Sequence, residues 1–70
     1  MKRNKLLKYI EKNGCVFIRE GSNHTLYWNF NNGKSSTVPR HPDIKENLCR
    51  KICKDLGIPD IQSKPENLNW

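Results

Sequence analysis

The apolar residues change their spacing twice along this chain, and that change limits the folds open to it more than any other feature. Leu6, Leu7 and Ile10 share one helical stripe. From Val16 to Val38 the pattern shortens to brief runs rich in β-branched and aromatic residues, separated by glycine and asparagine. From Ile44 the spacing returns to four, through Leu48, Ile52 and Leu56. A helical period cannot settle as a strand, nor the reverse. The expected order is therefore helix, strand, strand, strand, helix.

Punctuation residues sharpen this reading. Asn4 is a candidate N-cap for the first helix, and Gly14 a candidate residue just past its end, with Lys12 suited to the negative end of the helix dipole. Val16–Glu20, Thr25–Phe30 and Lys34–Val38 read as strands. Gly21-Ser22-Asn23-His24 makes the first turn, and Asn31-Asn32-Gly33 is a strong hairpin signal. Pro39-Arg40-His41-Pro42 imposes a stiff, extended connection. Asp43 with Glu46 predicts a capping box for the second helix, which should stop at Gly57. The result is an α+β fold in α-β-β-β-α order, a three-stranded antiparallel sheet with two helices on one face. That is the layout of a double-stranded-RNA-binding domain. Residues 1–58 should form the domain, with 59–70 as a C-terminal extension.

Length and charge exclude much else. Seventy residues supply one small core, so two-domain enzymes, barrels and deep cofactor clefts are ruled out. The longest unbroken apolar run, Cys15 to Ile18, is far below the ~20 residues of a membrane span. Lys8 and Glu11 interrupt what would be a signal-peptide core after Lys2, Arg3 and Lys5. A cytoplasmic location without membrane association is expected. The formal net charge of +6 favours a polyanionic partner. Lys34, Arg40, Arg50, Lys51 and Lys54 are the candidate phosphate-binding side chains, although exposed helix faces are commonly charged for solubility alone.

Cys15, Cys49 and Cys53 cannot all pair with one another. They read as reduced, partly buried thiols. Zinc is the sharper alternative, with His24 and His41 as further ligand types. Structural zinc sites usually show two close pairs, and only Cys49 and Cys53 are close here. No metal and no small-molecule cofactor is expected. Carboxylates are too few for a two-metal nuclease, and no acidic orienter completes a hydrolase triad around Ser22 and His24.

His24 can exchange protons near neutrality because an ordinary imidazole titrates at about 6.5. RNA cleavage by its own 2′-hydroxyl needs that kind of transfer. A lone histidine beside a turn is also commonly structural, and His41, set between prolines, reads as a rigid spacer. Strand alternation adds a conflict. His24, Leu26, Trp28 and Phe30 form the more apolar row of the second strand and should face the helices, which would draw His24 towards the core. A bulge near His24 could break the phase. Alternatively, Leu26, Trp28 and Phe30 lie on the open face as a partner-binding or base-stacking surface.

Three ordered motifs resemble one family: Gly21-Ser22-Asn23-His24 before an aromatic strand, Val38-Pro39-Arg40-His41-Pro42, and Ile44-Lys45-Glu46-Asn47-Leu48 leading to Leu56-Gly57-Ile58. Together, over residues 4–58, they look like the HicA toxin family. The resemblance implies an mRNA interferase of a type II toxin–antitoxin pair, cutting mRNA without metal and masked by a HicB-type antitoxin. It also implies that His24 is the catalytic histidine, with Gly21 and Ser22 of its turn at the RNA. The rival function is a non-catalytic RNA-binding module of the same fold.

Overall fold

A computed structural model describes residues 1–61 of the chain. The elements are α1 (Arg3–Lys12), β1 (Cys15–Glu20), β2 (His24–Asn29), β3 (Ser35–Pro39) and α2 (Glu46–Leu56). The sheet is antiparallel in the order β1-β2-β3. The expected α-β-β-β-α architecture is the one observed. α1 packs against β1 and α2 against β3. No helix among the described residues is long and apolar enough to cross a membrane.

The core lies between the helices and one sheet face. Leu6 and Ile10 of α1 meet Cys15, Tyr27 and Val38 of the sheet, with Ile44, Ile52 and Leu56 closing the other side. Cys49 and Cys53 are fully buried free thiols within this core. The buried stripe of α2 is thus Cys49, Ile52, Cys53 and Leu56, while Leu48 is only partly buried. The expected four-residue stripe is buried at Ile44, Ile52 and Leu56 and only partly at Leu48, with Cys49 and Cys53 buried beside it.

Both predicted N-caps are displaced. α1 begins at Arg3 behind Lys2, and α2 begins at Glu46 behind Lys45, neither with a side-chain cap. The cause is a backbone pairing between the N-terminus and the segment before α2. The Met1 amine donates to the Ile44 carbonyl at 2.9 Å, and the Ile44 N–H returns to the Met1 carbonyl at 2.7 Å. Lys2 and Asp43 form a bridge, so Asp43 is held extended and cannot cap. Asn4 is already inside the helix. The C-terminal ends match the sequence signals: Gly14 has φ +91° and Gly57 +69°.

The second correction concerns the faces of β2. Thr25, Tyr27 and Asn29 are buried against the helices, whereas Leu26 and Trp28 are half-buried on the open face and His24 is exposed. β2 alternates without a break, and the sheet's irregularity lies in β1 between Phe17 and Arg19. The more polar row can go inside because each of its polar groups has a partner there. The Tyr27 hydroxyl donates to Glu11 at 3.1 Å, the Asn29 amide donates to the Leu56 carbonyl at 2.8 Å, and the Thr25 hydroxyl accepts from Arg3 at 2.8 Å. Phe30 falls in the turn after β2 and is 71% exposed, its ring edge-to-face with Trp28 at 5.7 Å.

Most of the expected extension lies outside the described residues. Its first residues pack on the domain: the Tyr9 hydroxyl donates to the Pro59 carbonyl at 2.6 Å, and Ile61 sits against the core.

Candidate active site

The turn joining β1 to β2 is short and closes on itself. The Gly21 N–H donates to the His24 carbonyl at 2.7 Å. A Cβ on Gly21 would come within 3.2 Å of that same oxygen, so a side chain there would need the His24 carbonyl to give by a few tenths of an ångström. Ser22 and Asn23 are exposed at the tip. The turn delivers the chain into β2 with His24 as its first residue, opposite Pro39 of β3.

His24 borders a groove of about 190 Å³ between the β3 edge and α2. Ser36, Thr37 and Pro39 form one wall, and Leu48, Lys51, Ile52 and Asp55 the other. Lys51 is paired with Asp55 at 3.1 Å, four residues on. A second groove of about 390 Å³ continues past Pro39 and Leu48, which line both, towards His41, Pro42, Asp43 and Lys45. An imidazole, two hydroxyls and an ammonium therefore share one open cleft. Such a set suits a phosphodiester, which needs a mobile proton and positive charge near its oxygens.

The structure brings together only some of the predicted residues. Gly21, Ser22, His24 and Arg40 cluster at one end of the sheet, and Lys51 faces them across the groove. The Arg40 guanidinium lies 3.6 Å from Glu20 and donates to the Gly21 carbonyl at 3.5 Å. Arg50 is turned away, 3.6 Å from Asp60. Lys54 does not line the groove either. Lys34 sits in the β2–β3 hairpin at the opposite end of the sheet, beside Gly57.

Sequence reasoning missed Ser36, Thr37 and Asp55, because nothing local says which flank of α2 will lie along β3. It also missed a polar network beneath His24. Arg3 donates through Nε to the Pro39 carbonyl at 2.9 Å and through Nη2 to the Thr25 hydroxyl at 2.8 Å. Thr25 in turn donates to Glu20 at 2.9 Å. The only hint in the sequence was an arginine in a basic N-terminal run.

The cysteines stand apart from this cleft. Burial pushes the Cys15, Cys49 and Cys53 thiols above their ordinary range, which keeps them protonated and unreactive. Among the described residues no group of three or more His, Cys, Asp or Glu side chains could hold a metal ion.

Comparison with known proteins decides the family. The family described as HicA toxin of bacterial toxin–antitoxin matches residues 3–58. The chain belongs to the HicA toxin family. That match covers both helices, the whole sheet and the His24 turn. A HicA relative from Photorhabdus laumondii subsp. laumondii, called a probable mRNA interferase HicA 2, is 38% identical over 60 residues, covering 83% of this chain and 98% of its own. No solved structure matches the chain.

Proposed function

We propose that this HicA-family protein is a cytoplasmic endoribonuclease of the mRNA interferase kind, with His24 as its proton-transfer group. The observation that carries this reading is the placement of His24, exposed at the start of β2 and bordering a groove that also holds Lys51, Ser36 and Thr37. The probable mRNA interferase activity in the relative's name supports the same assignment.

The chemistry uses the RNA's own nucleophile. Neutral His24 takes the proton of a 2′-hydroxyl as that oxygen attacks the adjacent phosphorus. The bond to the 5′-oxygen breaks, and that oxygen leaves with a proton returned by the imidazolium or by water. The products are a 2′,3′-cyclic phosphate and a free 5′-hydroxyl. Lys51 and Arg40 hold the backbone phosphates, and the ammonium of Lys51 faces the charge that grows on the non-bridging oxygens. No step needs a metal ion. A HicB-type antitoxin would inhibit by covering this cleft, and the +6 charge suits a partner with acidic surface.

The test compares wild type and His24→Ala on single-stranded RNA with chelator present. Cleavage by the variant should fall about 10²–10⁴-fold, the usual worth of a positioned acid or base. Its melting curve should stay within about 0.5 kcal/mol of wild type, as for other surface changes. A folded His24→Ala protein cutting at the wild-type rate would remove His24 from the chemistry, and the rival reading, an RNA-binding module without catalysis, would take first place only if that cutting came from a contaminant.

A further inference from the structure

The strand end that carries His24 has a weak point. His24 and Pro39 face each other as a non-hydrogen-bonded pair and exchange no ladder bond, so the strand is held there only by the pairs on either side. The next backbone link outward, from the Arg40 N–H to the Asn23 carbonyl, is long at 3.3 Å. A histidine on a fraying strand end would sample many positions, yet proton transfer needs one.

Arg3 supplies the missing link. Its guanidinium reaches from the first turn of α1 and donates to the Pro39 carbonyl at 2.9 Å and the Thr25 hydroxyl at 2.8 Å. Pro39 stands opposite His24 and Thr25 follows it, so the two bonds bracket the histidine on both strands. Thr25 is only 2% exposed, and its hydroxyl passes the link on to Glu20 at the end of β1. Glu20 is 3.6 Å from Arg40 just past β3, so charges alternate along the chain of contacts. Arg3 is itself held: its own N–H donates to the Pro42 carbonyl at 2.9 Å, beside the Met1–Ile44 pairing. A planar fork fixed at its root presents its donors in a set relation to both acceptors, whereas a lysine ammonium is a shorter, freely rotating point charge that fits the pair less well.

We propose that Arg3 is the positioning residue of the His24 site, tying the Pro39 carbonyl to the Thr25 hydroxyl and thereby fixing the backbone from which the imidazole projects. This rests on the proton-transfer reading of His24 given above. Arg3 touches no reacting atom in this scheme, so its loss should show in turnover rather than in RNA binding.

The experiment measures kcat and KM for RNA cleavage, together with the His24 imidazole resonances by NMR, in wild type, Arg3→Gln, Arg3→Lys and Thr25→Val. Arg3→Gln should lower kcat by about 10–100-fold, since a displacement of about 1 Å can cost about 10²-fold. KM should stay within about twofold, because the phosphate contacts remain. The His24 resonances should shift or broaden. Arg3→Lys should recover part of the loss, as one bond of the two returns. Thr25→Val keeps shape but removes the acceptor, and it gives the same reading should Arg3→Gln fail to fold. Wild-type kcat and unchanged His24 resonances in a folded Arg3→Gln protein would overturn the assignment. So would a rise in KM at constant kcat, which would make Arg3 a phosphate contact, or full recovery by lysine. His24→Ala in parallel separates the two claims. If it cleaves normally, the catalytic reading has failed, and the imidazole resonances alone then decide whether Arg3 positions His24.

Discussion

The two ends of the β2–β3 hairpin are built from different materials. At the turn end, neutral amides do the joining. Asn29 and Asn32 both donate to the Leu56 carbonyl, at 2.8 and 3.0 Å, and so satisfy an acceptor that the end of α2 leaves open. The Asn29 and Asn32 side-chain oxygens accept from the Asn31 and Lys34 backbones at 2.8 Å each, closing the loop. At the other end the joining is ionic and partly solvent-exposed, running from Arg3 through Thr25 and Glu20 to Arg40. At the amide end Asn29 is buried, and its bond to Leu56 ties α2 to the sheet. The charged end holds the strands together while leaving His24 open to a groove. One end secures the fold and the other carries the histidine proposed for catalysis.

This contrast is sharpest if one substitution at each end is compared. His24→Ala should cost about 10²–10⁴-fold in cleavage with little change in melting. A parallel fall in stability would show that the charged end also carries the fold. The two sheet faces should differ almost as much. Ile52→Ala, in the core, should destabilise by about 2–5 kcal/mol in chemical denaturation. Trp28→Ala, half-buried on the open face, should cost clearly less than Ile52→Ala, since part of its surface is already in water. Equal losses for the two would place Trp28 in the core after all.

At the turn end, Asn29→Ala removes one of the two donors to the Leu56 carbonyl while Asn32 stays in place, and should cost about 0.5–1.5 kcal/mol. Cleavage per folded molecule should be unchanged. If activity falls while melting holds, the division between the ends is wrong.

Alkali offers a milder probe. The Tyr27 hydroxyl is pushed from its ordinary 10 up to about 12, first by burial and then by its hydrogen bond to Glu11. Folding therefore favours the protonated phenol. Its contribution is fully present below pH 10 and is lost as pH rises towards 12. Tyr27→Phe should flatten that part of the stability curve, as read from melts between pH 8 and 12. The smallest effect concerns salt. If only Arg40 and Lys51 near His24 hold phosphates of a single strand, log affinity should fall with log salt with a slope of about −1.4. A slope near −3 would bring Lys34, Arg50 or Lys54 into the interface as well.

The order of elements was readable from the sequence because spacing and punctuation are local properties. The glycines past each helix, the Asn-Gly hairpin and the Pro39–Pro42 connector all act through backbone geometry a few residues long. His24 could be singled out for the same reason, since its turn and its resemblance lie in contiguous residues. The face that β2 buries was not readable this way. Alternation favoured the apolar row, but the helices carry partners for Thr25, Tyr27 and Asn29, and a polar row with every group satisfied can be buried at little cost. The caps failed similarly: pairing of Met1 and Lys2 with Asp43 and Ile44, about forty residues away, holds Asp43 extended. The groove and the Arg3 clamp belong to this second kind. Both depend on how two helices settle on one sheet, and that is decided by contacts between residues distant in the chain.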